Sequence, residues 1–168
     1  MNNILLIGFM GTGKSTVSKK LMELTKMEEV DMDSYIVDRE KMSISEIFSK
    51  YGEEHFRKIE TECLKEIVKM DNVIVSCGGG IAVKDENVEY MKTGGKIVLL
   101  TAKPETIFNR VRYCKDRPIL NGNMNIEFIE SLMNKRKDRY LAVADIIIST
   151  DDKDVLQIAN EIIEKIEG

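Results

Sequence analysis

Gly8-Phe9-Met10-Gly11-Thr12-Gly13-Lys14-Ser15 sets glycines, a lysine and a hydroxyl at the spacing G-x-x-x-x-G-K-[ST]. Glycines at those positions let consecutive backbone N–H groups turn inward, as a phosphate cradle requires. Lys14 is then placed for the β- and γ-phosphates of a nucleotide and the Ser15 hydroxyl for Mg2+. Gly11, Thr12, Gly13 and Thr16 complete the expected nucleotide-contacting stretch. Further along, Asp31 and Asp33 form a D-x-D pair at the end of a short strand-like run. At strand period two both side chains leave one face, one toward the metal and the other toward a substrate hydroxyl. Arg57 and Glu60 lie three apart on a helical pattern. Glu60 can steady a guanidinium aimed at an anion, although an ordinary surface ion pair has the same spacing. Gly78-Gly79-Gly80 follows an apolar run, which suggests close approach of backbone to a ligand or a tight turn. Ser76 stands where such a site often carries a metal-holding acid, which shifts that role to Asp31. Arg117 lies in a stretch rich in Pro, Gly and Asn, where a mobile arginine can neutralise charge on a transferring phosphoryl group.

The runs 4–7, 73–75, 97–100 and 146–148 are short, continuous and β-branched, the pattern of strands buried on both faces of a parallel sheet. Residues 29–32 are a weaker fifth candidate. Helical patterns lie between them: 14–26, a capping box at Ser43 and Glu46, then 53–70, 126–141 and 154–166. Pro104 fits the first turn of another. The order predicts an α/β fold, a three-layer doubly wound five-stranded parallel sheet. A single domain over 1–168 is expected, with substrate-binding helices at about 33–61 and a lid loop at about 112–124. In such a sheet, ligands bind beside the carboxyl ends of the strands.

The net charge of −4 does not favour a nucleic-acid partner, and no apolar run approaches the length of a membrane span. The first apolar run stops at Gly8 and reads as a strand rather than a leader, so a cytoplasmic location is expected. Three scattered cysteines and one histidine, His55, argue against a disulfide framework or a zinc site.

Taken together, G-F-M-G-T-G-K-S-T, D-M-D, G-E-E-H-F-R-K-I-E, G-G-G, R-P-I-L and R-K-D-R-Y resemble, in order and spacing, the shikimate kinase family of P-loop kinases. The resemblance runs from about residue 4 to residue 150, and the lid reads R-P-I-L where the family pattern is R-P-L-L. It implies transfer of the γ-phosphoryl of ATP to the 3-hydroxyl of shikimate, within aromatic amino-acid biosynthesis. By that resemblance Lys14 and Ser15 serve phosphate and Mg2+, and Asp31 joins the magnesium shell. Asp33 bonds the substrate hydroxyls, as a base or a positioning group. Arg57, held by Glu60, and Arg136 clamp the shikimate carboxylate. Gly78, Gly79 and Gly80 bring backbone to the substrate ring, and Arg117 closes over the phosphates. Arg110 and Arg112 both fit the adenine-stacking arginine, with Arg110 preferred. ATP and shikimate are the implied partners, and a monomer is expected. Two alternatives remain: another small-metabolite or nucleotide kinase of this fold, such as a gluconate kinase, and a non-catalytic nucleotide switch. An acceptor without a carboxylate leaves Arg57 and Arg136 unexplained, and a switch need not keep them.

Overall fold

The computed structural model describes residues 3–112 and 125–168. Arg117 and the expected lid, apart from Arg112, lie outside the described residues. Five strands form one parallel sheet: β1 (Asn3–Ile7), β2 (Glu28–Asp31), β3 (Val73–Ser76), β4 (Gly95–Thr101) and β5 (Ile146–Ser149), in the order β2-β3-β1-β4-β5. Among the described residues seven α-helices connect or follow them: α1 (Lys14–Thr25), α2 (Met32–Glu40), α3 (Ile44–Ile67), α4 (Asp85–Gly94), α5 (Pro104–Val111), α6 (Ile126–Val143) and α7 (Val155–Glu167). No described helix is long and apolar enough to cross a membrane.

Alternation along each strand divides the core in two. Leu5, Ile7, Val75, Ile97 and Leu99 pack with α2 to α6, whereas Ile4, Leu6, Ile74, Val98 and Leu100 pack with α1 and α7. Both faces of β1, β3 and most of β4 are covered, which is why those strands read as unbroken apolar runs; β5, expected to be buried on both faces, is an edge strand whose Ile147 is exposed. β1 is central and delivers the chain into the P-loop; β3 beside it delivers the three glycines. Ser76 is in register with Leu6 on one side and Asp31 on the other, so the ends of β1, β2 and β3 lie abreast.

Several details differ from the sequence expectation. β2 ends at Asp31, so Asp31 and Asp33 do not share a strand face. Asp31 instead caps α2, its side chain accepting from the Ser34 N–H at 3.2 Å, and Asp33 sits in the first turn of that helix. α2 falls within the span of about 33–61 expected to hold substrate-binding helices, whereas α4 was not expected. The capping box at Ser43 and Glu46 is present in both halves and opens α3. Gly52 breaks α3 with φ 85 and ψ 169, where the sequence suggested two helices rather than one. The first part of α3 contributes Ile44 and Phe48 to the wall of a cavity described below; the second carries Arg57 and Glu60.

The Gly52 backbone lies in a region open almost only to glycine. Gly52→Ala is expected to cost about 1–3 kcal/mol, read as a lowered urea midpoint with an unchanged slope. Unchanged stability would mean that the break is not held by the rest of the fold.

Candidate active site

The P-loop joins β1 to α1 through three glycines at positive φ: Gly8 (147), Gly11 (80) and Gly13 (94). A side chain at Gly8 would meet the Leu100 carbonyl at 2.4 Å, so the loop must lie tight on β4. Gly13 is different: a Cβ there meets nothing within 4 Å, and the position opens onto a cavity of about 370 Å3. Gly13 caps α1 without any side-chain hydrogen bond, which leaves the first N–H groups of the helix facing that cavity. Such an end attracts anions. Lys14, Ser15, Thr16, Asp31 and Arg110 also line it. The Lys14 ammonium donates to the carbonyls of Gly8 at 2.6 Å and Phe9 at 3.1 Å. The Ser15 hydroxyl donates to Asp31 Oδ2 at 3.0 Å. Thr12 turns inward, its hydroxyl donating to the Phe9 carbonyl at 2.8 Å, so its side chain stays out of the cavity. Arg110 donates from Nη1 to the Gly11 carbonyl at 2.8 Å, whereas Arg112 lies over the Phe108 ring. Among the described residues no cluster of three or more His, Cys, Asp or Glu could hold a metal by itself. A hydroxyl and a carboxylate beside a phosphate cradle nonetheless suit Mg2+, which takes few protein oxygens and completes its shell with water and phosphate.

A second cavity, of about 320 Å3, adjoins the first. Asp33, Arg57, Glu60 and Arg136 line it, with Ile44, Phe48 and Phe56 supplying the apolar wall. Arg57 pairs with Glu60 at 3.0 Å and with Glu53 at 3.2 Å, the latter a partner that sequence spacing did not single out. Its guanidinium also lies over the Phe56 ring, 5.2 Å from the centroid. Burial works against the charge of Arg57, and Glu60 and Glu53 more than offset it, so its pKa is raised. Glu60 is 1% exposed, and its carboxyl is pushed up by burial, against the opposing pull of Arg57. The two shifts differ in what they say of the pair. Arg57 gains from it, while Glu60, the more deeply buried partner, still loses more to desolvation than Arg57 returns.

The glycines explain themselves against these charges. A Cβ at Gly78 would lie 2.8 Å from Glu60 Oε2, and one at Gly80 would lie 2.5 Å from Arg57 Nη1. One at Gly79 would stand 3.3 Å from Arg136 Nη1. The triplet therefore lets backbone pass between the charged side chains as well as border the cavity. Arg136 is buried, and its Nη1 has no hydrogen-bond partner among the described residues. In the sequence Arg139 and Tyr140 appear only within the R-K-D-R-Y motif, without individual roles. In the structure the Tyr140 hydroxyl donates to the Gly79 carbonyl, and Arg139 Nε donates to the Ala82 carbonyl at 2.9 Å. The R-x-x-R-Y spacing carries the signal, since 136, 139 and 140 share a helix face. Met10, Asp33, Gly78 and Gly79 line both cavities, so the two meet along one wall.

A P-loop at the end of a central parallel strand, facing a second polar cavity across a shared wall, defines a P-loop kinase of a small acceptor. The shikimate kinase family profile matches residues 10–167. A curated shikimate kinase from Persephonella marina is 42% identical over 166 residues, covering 99% of each chain. The solved structure of a shikimate kinase from Acinetobacter baumannii in complex with shikimate superposes with a TM-score of 0.96 at 32% identity, over 99% of this chain and 93% of that one. A gluconokinase from Sinorhizobium meliloti, 12% identical with a TM-score of 0.62 over 99% of this chain and 91% of that one, shares the fold alone. The chain belongs to the shikimate kinase family.

Glu60 gives a pH test. Between the ordinary glutamate value and its raised native value, the folded state keeps a proton that the unfolded state has released. Stability therefore falls as pH rises through that window. Glu60→Gln removes the titration. The urea stability of the native chain relative to Glu60→Gln is expected to decline as pH rises above the ordinary glutamate value, and to level off once pH passes the raised native one. A pH-independent difference would contradict the raised carboxyl.

Proposed function

We propose that this chain transfers the γ-phosphoryl of ATP to the 3-hydroxyl of shikimate, giving shikimate 3-phosphate and ADP. One observation carries the reading: Arg57 and Arg136 line one cavity that adjoins the phosphate site, and the buried Nη1 of Arg136 has no partner among the described residues. A buried guanidinium nitrogen without an acceptor is costly, and an acceptor carboxylate satisfies it with matched two-point geometry. Shikimate offers one carboxylate for Arg57 and Arg136 and several hydroxyls for Asp33. Gly78 to Gly80 bring backbone beside the ring, and Glu60 keeps Arg57 aimed.

On the donor side, the N–H groups of Gly11 and of Gly13 to Thr16 hold the phosphates, that of Thr12 being bonded to the Phe9 carbonyl, and Lys14 exchanges its contacts with the Gly8 and Phe9 carbonyls for phosphate oxygens. Arg110, which donates to the Gly11 carbonyl, keeps the adenine-packing role that the family resemblance gives it. Ser15 and Asp31 would hold Mg2+, Asp31 through water. Mg2+ supplies neutralisation of charge on the phosphate oxygens. Asp33 belongs to the shared wall and accepts the hydrogen bond of the attacking hydroxyl, orienting it or taking its proton. Arg117 keeps the phosphate-neutralising role that the family resemblance gives it. The chemistry is mainly positioning and charge neutralisation, which this set of residues can provide.

A coupled ADP-release assay over shikimate, gluconate and nucleoside monophosphates tests the reading. Shikimate-dependent turnover that stops with chelator and returns with Mg2+ is expected; turnover with gluconate alone would overturn it. Arg57→Ala and Arg136→Ala are each expected to raise KM for shikimate about 30-fold or more while changing KM for ATP little, because each leaves a charge unpaired in a buried site. Equal loss toward both substrates would contradict the clamp.

A further inference from the structure

The two arginines of the acceptor cavity come from different helices, Arg57 from α3 and Arg136 from α6. Both lie against the same short stretch of backbone. Gly80 is packed on the guanidinium of Arg57, and Gly79 faces Nη1 of Arg136. The spacing between the two guanidiniums is thus transmitted through residues 78–82. Side chains that do not line either substrate cavity hold this stretch from two directions. From α6, Arg139 donates to the Ala82 carbonyl at 2.9 Å. From α4, Asn87 donates its amide to the Ile81 carbonyl at 3.0 Å. The Asn87 Oδ1 in turn accepts from the Thr61 hydroxyl at 2.8 Å.

Thr61 closes the connection. Its hydroxyl also lies 3.0 Å from the carbonyl of Arg57, one helical turn earlier, and accepts from the Lys84 ammonium at 3.3 Å. Asn87 is 0% exposed and Thr61 is 4% exposed. Polar groups buried this deeply are costly unless fully bonded, and a buried network fixes one arrangement of the elements it joins. Here it joins the carbonyl of Ile81, just after the glycines, to the helical turn that bears Arg57. Apolar packing alone would hold these elements together, but it would tolerate sliding that a directional hydrogen-bond chain does not.

We propose that Asn87 and Thr61 are positioning residues that set the gap between Arg57 and Arg136, and through it the affinity for the acceptor carboxylate. Neither touches the substrate. The proposal rests on the carboxylate-clamp reading given above and deepens it.

Thr61→Val removes the hydroxyl at nearly constant shape, and Asn87→Ala removes the whole bridge. Each is expected to raise KM for shikimate about tenfold, equivalent to about 1.4 kcal/mol, while KM for ATP stays within about twofold. Thr61→Ser restores the hydroxyl and is expected to return KM for shikimate to near the native value. The double variant is expected to be no worse than the worse single one, because both break one bridge. Circular dichroism and thermal unfolding establish that each variant is folded; Thr61→Val serves if Asn87→Ala is not. A folded Thr61→Val with a lowered Tm and an unchanged KM for shikimate would overturn the proposal, as would a parallel rise in KM for ATP. If Arg57→Ala and Arg136→Ala leave KM for shikimate unchanged, the clamp itself falls. If they raise it and Thr61→Val does not, the positioning proposal alone falls.

Discussion

The acceptor half of the molecule is organised around one buried ion pair. Glu60 is nearly inaccessible to solvent, and Arg57 is its direct partner at 3.0 Å. A carboxylate placed so deep, with its half-buried partner, needs its neighbours to make room and to keep the geometry, since desolvation opposes the charge. The consequences are visible in residue choice. Gly78 has no side chain because Glu60 Oε2 occupies the space, and Gly80 has none because the Arg57 guanidinium does. Glu53 supplies a second carboxylate, and Phe56 offers its ring face. The glycine triplet, which reads in isolation as flexibility, is here a consequence of close packing.

The donor half follows from a different constraint. All five strands are parallel, so their carboxyl ends share one side of the sheet. The P-loop, the Asp31 cap and the glycine triplet follow β1, β2 and β3, which are neighbours in register. No long-range search is needed to bring Lys14, Asp31 and Gly78 together. The sheet order does it once the apolar runs pair.

Much of this was legible beforehand, for identifiable reasons. The apolar runs are long enough and β-branched enough to announce strands, and the P-loop has glycines whose positions have few other uses. The break at Gly52 fell between two separately readable helices. Other features depend on tertiary contact and left weak traces. Asp31 reads equally well as a strand residue or as a helix cap, and only the packing of Met32 and Ile36 into the core decides that α2 begins there. Arg139 and Tyr140 look like a solvated helix face because their partners are carbonyls of residues 79 and 82, which a sequence does not display as acceptors. Asn87 and Thr61 are ordinary polar residues until burial makes their pairing necessary.

Met10, Asp33, Gly78 and Gly79 belong to both cavities. A wall held in common gives binding in one cavity a physical route to affect binding in the other. Any settling of these four residues around a nucleotide changes the surface that the second ligand meets, and the coupling is reciprocal by necessity. Whatever factor ATP imposes on the binding of the acceptor, the acceptor imposes on ATP. Half-saturation for either substrate is therefore a joint property of the pair, defined only when the concentration of the other is stated.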